Sequence, residues 1–127
     1  MAESDPTVSV IARNLAAVNG QVAQAAAAAG RAAGSVGLVA VSKTYPAAVA
    51  GAAIGAGHRV FGENRVQEAL DKWPALKQEF PDVKLHLIGP LQRNKVRPAM
   101  ALFDAIETVD RPSLARALAN EMERSGR

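Results

Sequence analysis

The stretch Gly37-Leu38-Val39-Ala40-Val41-Ser42-Lys43 decides the fold of this 127-residue chain. Its apolar run is continuous rather than alternating, so we predict a strand over residues 38–42 that is buried on both faces. Lys43 stands at the carboxyl end of that strand, and Thr44-Tyr45-Pro46 follow it. Because α/β sheets and barrels bind ligands at the carboxyl ends of their strands, Lys43 is a candidate binding residue.

Two interpretations of Lys43 stay open from the residues alone. A partly desolvated amine can be held neutral and nucleophilic, as a Schiff base with an aldehyde cofactor requires. Alternatively, Lys43 is a solvated side chain where a strand meets a loop. The segments that follow it in the chain bear on this choice.

Short apolar runs alternate with helical patterns after residue 38. We predict strands at residues 38–42, 59–61, 84–88 and 104–109, and helices after Pro46, from Asn64, over residues 91–100 with Pro98 near the end, and after Pro112. Pro74 is expected to interrupt or restart the second of these helices. This order indicates parallel strands joined by right-handed crossovers, in four βα units. A complete βα barrel has eight such units.

A leading helix is predicted before these units. Asp5 is a candidate N-cap, with Pro6 in the first turn. The alanine tract 25–29 extends the helix by propensity, and we expect it to pack closely on its neighbour. One apolar face is formed by Val8, Ile11, Leu15, Val18 and Val22.

Composition excludes several classes of protein. The chain has no cysteine, which excludes disulfides and thiolate metal sites. Its 15 basic residues are interleaved with 12 acidic ones, so no nucleic-acid tail is indicated and no nucleic-acid partner is expected. The basic cluster Arg93, Lys95 and Arg97 leaves an acidic partner or RNA as a weaker alternative. The N-terminus lacks the apolar core of a secretory signal, and no apolar stretch has membrane-spanning length, so we predict a cytoplasmic protein with no membrane partner.

Three motifs follow the predicted strands in order. They are Val-Ser-Lys-Thr at residues 41–44, Phe-Gly-Glu-Asn-x-Val-Gln-Glu-Ala at 61–69, and His-x-Ile-Gly-x-Leu-Gln-x-Asn-Lys at 86–95. With them, residues 35–127 resemble the pyridoxal phosphate homeostasis family (the YggS/PROSC family). The resemblance implies a (β/α)8 TIM barrel of the alanine-racemase N-terminal type. The chain would be a single incomplete domain over residues 1–127, with a leading helix in 1–34 and about four βα units in 35–127.

The same resemblance implies a function. The family binds pyridoxal 5′-phosphate (PLP) and acts in intracellular vitamin B6 homeostasis, without established catalytic turnover. Lys43 matches the lysine that holds the cofactor as a Schiff base. Two alternatives stay open: a PLP-dependent enzyme of the alanine-racemase-like class, and a fragment without activity of its own.

Asn64 and His86 are the further candidate cofactor-binding residues. Asn64 matches the motif asparagine and could donate a hydrogen bond to the ring oxygen of the cofactor, cap the following helix, or do both. His86 could lie near the cofactor if its face points into the barrel, or it could be a hydrogen-bonded core histidine. His58, in a glycine-rich turn, is expected to be only solvated.

The resemblance also implies that the phosphate-binding residues of the family lie near its C-terminus, beyond the motifs seen here. We therefore expect the chain to be a fragment or a truncated reading frame. Half a barrel leaves its first and fourth strands with open edges. If the chain folds alone, we expect it to self-associate through these edges or to be marginally stable.

Overall fold

The computed structural model describes residues 6–127, in which five α-helices alternate with four strands. The helices are α1 Pro6–Ala28, α2 Ala47–Gly55, α3 Val66–Glu79, α4 Val96–Leu102 and α5 Pro112–Ser125. The strands are β1 Ala40–Val41, β2 Val60–Glu63, β3 Lys84–Leu87 and β4 Ala105–Ile106. A short 3₁₀ turn, Arg93–Lys95, precedes α4. Among residues 6–127, no helix is both long and apolar enough to cross a membrane.

The four strands form one parallel sheet in the order β1-β2-β3-β4. Spatial order therefore equals chain order, as in a βα barrel, whereas a doubly wound sheet reverses its order at a switch point. Right-handed crossovers between sequential parallel strands put all the connecting helices on the same face of the sheet. This arrangement confirms the prediction of four parallel βα units in the strand order of a barrel.

The hydrophobic core lies between the sheet and its helices. Phe61, Leu85 and Leu87 alternate with residues of the opposite face and are almost completely buried. Trp73 of α3 is fully buried, and its ring centroid lies 5.1 Å from that of Phe61. Each such apolar side chain contributes about 1.5–3 kcal/mol when it is removed from water. Most of the apolar burial that stabilises the sheet therefore lies on its helix-facing side.

The first strand differs from its prediction. The expectation was burial on both faces over residues 38–42, but β1 is only two residues long and the side chain of Val41 is 48% exposed. The reason is that β1 pairs only with β2 among the described residues, and no described element covers the face on which Val41 lies. A continuous apolar run predicts two covered faces, and here only one is covered.

Two prolines also act differently from their predictions. Pro74 lies inside α3, which continues unbroken from Val66 to Glu79 around the buried Trp73 and Leu76. Pro98 is the third residue of α4 rather than near the end of a helix over residues 91–100. The backbone N–H groups of the first helical turn have no intrahelical acceptor. Proline, which has no N–H, is therefore tolerated there.

The leading helix is confirmed, although it packs less closely than expected. Ile11 and Leu15 lie partly buried against the core, but Val8 and Val18 are about two-fifths exposed. In the alanine tract only Ala26 is buried. The predicted N-cap, Asp5, lies outside the described residues. Helix α1 contacts α2, so one narrow stripe of the helix forms the contact.

Asp104 connects α3, β3 and the start of β4. Its Oδ2 atom accepts hydrogen bonds from Lys77 Nζ and from the Leu85 N–H, each at 2.8 Å. Burial disfavours the charged form, but the hydrogen bonds from Lys77 and Leu85 outweigh it and hold the pKa of Asp104 below 3.8. The ionised carboxylate therefore stabilises the folded chain.

We expect this stabilisation to be complete above the unfolded-chain pKa of 3.8 and to be lost as the pH falls through the lower folded-state value. Asp104→Asn should lower the free energy of unfolding at neutral pH, and the difference from wild type should shrink in acid. Urea unfolding across this pH range measures it. Glu79→Gln, at an exposed position of α3, is the control; a difference for Asp104→Asn that does not vary with pH would contradict the assignment.

Candidate functional site

The candidate residues lie at the carboxyl ends of the strands, on the face away from the helices. A Cβ atom built on Gly62 would lie 3.1 Å from Val39 Cγ1 and 3.2 Å from Ile88 Cδ1, so these three residues share that inner face. The strand register aligns Val41, Gly62 and His86 across the sheet. Neighbouring strands are about 4.8 Å apart. Lys43, Asn64 and Ile88 each follow an aligned residue by two positions, just beyond the strand ends at the mouth of the sheet, and His86 lies one step before them.

Lys43 is exposed at this mouth, just beyond the end of β1. This exposure fits the interpretation of Lys43 as a solvated side chain where a strand meets a loop, rather than a partly desolvated one. No hydrogen bond or ion pair to its ammonium group occurs within residues 6–127. The amine is therefore accessible to an aldehyde from the inner side of the sheet.

The backbone around Lys43 is fixed from behind by Lys72. We call residues 42–45 the lysine loop. The Nζ atom of Lys72 donates hydrogen bonds of 2.8 Å to the carbonyl oxygens of both Ser42 and Tyr45, the two ends of the loop. The Tyr45 N–H also donates to the Ser42 carbonyl at 3.2 Å, which closes the turn. Lys43 thus projects from a turn whose ends are held by one ammonium group.

Thr44, inside the lysine loop, adopts a left-handed conformation with φ of 68°. A β-branched residue rarely adopts this conformation, which costs roughly 1–3 kcal/mol. The N–H of Thr44 donates a 2.6 Å hydrogen bond to Glu68 Oε2. Glu68 also lies 3.4 Å from Lys72 Nζ, one turn along α3. The strained residue is therefore held by the same helix that holds the ends of the loop.

Glu63 is the buried counter-charge of Lys72. Its side chain is fully buried, and its Oε2 atom lies 2.8 Å from Lys72 Nζ. The same atom accepts hydrogen bonds from Ser42 Oγ at 2.6 Å and from Trp73 Nε1 at 2.9 Å. Its Oε1 atom has no hydrogen-bond partner among the described residues. Two hydrogen bonds and one ion pair at the same oxygen stabilise the carboxylate, so the pair is compensated in spite of its burial.

Asn64 lies at the end of β2 beside the loop that follows β3. A Cβ atom on Gly89 would lie only 2.0 Å from the Asn64 carbonyl oxygen, so only glycine allows this approach. The interpretation of Asn64 as a helix cap is wrong. Arg65 occupies the N-cap position of α3, and no side-chain cap hydrogen bond is formed there. The Asn64 amide is therefore not used in capping.

His86 forms a pair with Glu107 on the inner side of the sheet. Its Nδ1 atom lies 2.7 Å from Glu107 Oε1, and the side chains are 25% and 48% exposed. His86 is thus hydrogen-bonded, but it lies on the inner face rather than in the core among the helices. The other histidine is not merely solvated as predicted. His58 Nε2 lies 2.6 Å from the Val60 carbonyl oxygen, and its ring packs edge-on against Phe61.

The sequence reasoning missed Lys72 and Glu68 as parts of the site. One signal for Lys72 was available. It lies three residues after Ala69 and four before Leu76, both of which belong to the buried face of α3. A lysine on an apolar helix face needs a buried partner. The partner, Glu63, belongs to the second motif.

Comparison with known proteins decides the family. Residues 14–127 match the family model described as alanine racemase, N-terminal domain. This chain belongs to the alanine racemase N-terminal domain family. Within the family, it is 47% identical over 116 residues to the pyridoxal phosphate homeostasis protein of Pseudomonas aeruginosa, and 44% identical over 109 residues to that of Escherichia coli. The resemblance predicted from the three motifs is confirmed.

Solved structures of this family give the same result. PipY of Synechococcus elongatus, solved with PLP bound, is 44% identical with a TM-score of 0.79, and the match covers 92% of this chain and 50% of PipY. A protein from Bifidobacterium adolescentis is 34% identical with a TM-score of 0.90, and the match covers 98% of this chain and 54% of that protein. The truncated-barrel fold is therefore confirmed.

The match with the curated relatives covers only part of each of them. It covers 90% of this chain and 49% of the Pseudomonas aeruginosa protein, and 85% and 47% for Escherichia coli. The chain thus spans about half the length of these relatives.

No metal site is evident in residues 6–127, because no group of three or more His, Asp or Glu side chains there could hold an ion.

Proposed function

We propose that this chain binds pyridoxal 5′-phosphate through Lys43 and belongs to a protein of intracellular vitamin B6 homeostasis. The observation that carries the proposal is an exposed, unpaired amine at the carboxyl end of β1, on a turn held at both ends by Lys72. The relatives named as pyridoxal phosphate homeostasis proteins and the PLP-bound PipY support the same assignment.

The residues present fit the reactive end of such a cofactor. Lys43 would hold the cofactor through its amine, which would supply the nucleophile for a Schiff base with the aldehyde group, with loss of water. Asn64, whose amide is not used in capping α3, can donate to an oxygen on the pyridine ring. His86, paired with Glu107, lies one layer deeper on the same face. When bound, PLP would supply an electrophilic carbon and an electron-accepting ring.

Lys43→Met tests the proposal. We expect wild-type chain mixed with PLP and reduced by borohydride to carry its modification on Lys43, and Lys43→Met to lose that modification. Stability should stay within about 0.5 kcal/mol, because the side chain is exposed. Peptide mass spectrometry locates the label. Lys84→Met, at an exposed position of β3, is the matched control, and equal labelling of all exposed lysines in the wild type would count against the proposal.

We also propose that the chain self-associates through the open edges of its sheet. Strands β1 and β4 each pair on one side only within the described residues, and Val41 beside the β1 edge is 48% exposed. An uncovered edge of this kind invites pairing with another strand, and a lysine placed on it prevents such pairing.

In size-exclusion chromatography, wild-type chain should elute as species larger than a monomer whose size rises with concentration. Val41→Lys should shift the elution toward the monomer. Val8→Lys, at a similarly exposed position of α1, should leave it unchanged. A sharp wild-type monomer at every concentration would be the contrary result.

The other functions considered from the sequence stay predictions. The alternative functions are a PLP-dependent enzyme of the alanine-racemase-like class and a fragment without activity of its own. The cytoplasmic location also stays a prediction. Turnover of amino acids by PLP-loaded chain would favour the enzyme. Absence of specific labelling at Lys43 would favour the inactive fragment.

A further inference from the structure

We infer that Lys72 is the positioning residue for Lys43: its buried ammonium group, paired with Glu63, sets the conformation of the lysine loop from behind the sheet. The inference rests on the proposed function, because it assigns Lys72 a role in presenting the Lys43 amine to an aldehyde. Lys72 does not reach the inner face itself.

The hydrogen-bond geometry of Lys72 accounts for all of its donors. An ammonium group has three N–H bonds, and three acceptors receive them: the Ser42 and Tyr45 carbonyls at 2.8 Å and Glu68 Oε2 at 3.4 Å. Glu63 Oε2 is the ion-pair partner at 2.8 Å. Only 7% of the side chain is exposed, so water cannot easily replace these acceptors. Two of the three acceptors are backbone atoms that flank Lys43. Neutralising the charge of Glu63 would not by itself require hydrogen bonds to these two carbonyl oxygens.

The strain at Thr44 gives independent support. A left-handed threonine persists only where its surroundings impose that conformation. Here the imposing groups are Glu68, which accepts the Thr44 N–H, and Lys72, which holds the carbonyls on both sides. Without them the loop would relax toward an unstrained conformation, and the direction in which Lys43 projects would change with it.

The test compares variants that separate positioning from folding. Lys72→Met alone leaves Glu63 buried without its counter-charge, so it is paired with the double variant Glu63→Gln/Lys72→Met, in which both charges are removed. Lys77→Met is the matched control, because Lys77 lies on the same helix and also binds a backbone carbonyl and a carboxylate, Leu102 and Asp104, away from the lysine loop. Circular dichroism establishes which variants are folded.

Two readouts are measured on each folded variant. The first is amide hydrogen exchange at Thr44 and Tyr45 without cofactor. The second is borohydride trapping of PLP, expressed as the ratio of label on Lys43 to label on the exposed Lys84. In the double variant we expect faster exchange in the loop and a fall of about tenfold or more in the trapping ratio, since small misplacements of a reacting group cost this much. Lys77→Met should change neither.

Glu68 adds a conservative comparison at a less buried position. Its side chain is 26% exposed. Glu68→Gln keeps an oxygen for the Thr44 N–H and should behave as wild type, whereas Glu68→Ala should accelerate exchange at Thr44. A folded double variant with wild-type exchange and a wild-type trapping ratio would overturn the inference. If wild-type chain gives no preferential label on Lys43, the proposed function is wrong, while the exchange data still decide whether Lys72 orders the loop.

Discussion

Gly89→Ala is expected to destabilise the chain by about 3 kcal/mol or more, or to prevent folding. The added Cβ atom would lie 2.0 Å from the carbonyl oxygen of Asn64 and 2.8 Å from its carbonyl carbon and Cα atom. These are backbone atoms at the end of β2, so no side-chain rotation can relieve the overlap. The loop after β3 would have to move away from β2, and Asn64 would move with it.

Urea unfolding measures this effect, and Gly20→Ala is the control. Gly20 lies inside α1, and a Cβ atom added there would have nothing within 4 Å, so alanine should stabilise the chain by about 0.5–1 kcal/mol through helix propensity. The same substitution is thus expected to have opposite signs at two glycines. A Gly89→Ala chain with a free energy of unfolding within about 0.5 kcal/mol of wild type would show that the close approach is not rigid.

The strand order was predictable because it depends on local patterns. Apolar runs separated by helical periods determine the number of βα units, and short connections leave few alternatives for their order. The positions of Lys43, Asn64 and His86 at the strand ends follow from the same patterns. The alternation of side chains along a strand is enough to predict that they belong to the same face. Their role in binding PLP stays a proposal.

Contacts between distant segments were not predictable in the same way. Gly89 was visible only as part of a motif, and nothing local indicates that its neighbour is the backbone of Asn64. The length of β1 was overestimated because burial on both faces depends on elements elsewhere in space. Pro74 was expected to interrupt or restart its helix, but the tertiary packing of Trp73 and Leu76 outweighs the loss of one hydrogen bond.

Lys72 illustrates the same limit for electrostatics. A lysine in a helical sequence ordinarily belongs to the solvated face, and long charged side chains are rarely buried unless paired. Its partner Glu63 is nine residues earlier, and its backbone acceptors are 27 and 30 residues earlier. The sequence motif locates Lys43, whereas only the three-dimensional structure reveals that Lys72 binds the ends of its loop.

Lys72→Met is expected to destabilise the chain by about 3–5 kcal/mol, because it leaves the fully buried Glu63 carboxylate without its counter-charge. The hydrogen bonds from Ser42 and Trp73 would remain but would not neutralise the charge. Glu63→Gln alone should cost less. Its amide oxygen can still accept from Ser42 and Trp73, and the Lys72 ammonium group keeps only the more distant Glu68 as an ionic partner.

The double variant Glu63→Gln/Lys72→Met should recover most of the loss caused by Lys72→Met, since no buried charge then lacks a partner. The measurement is a double-mutant cycle of free energies of unfolding in urea. A coupling energy near zero would mean that the two charges are solvated in solution and that the pair contributes nothing to stability. A large coupling energy together with weak trapping of PLP on Lys43 in the folded double variant would identify the same pair as essential for the fold and for the loop. Stability alone cannot separate these two roles, because both depend on the one ammonium group that binds Glu63 and the ends of the lysine loop.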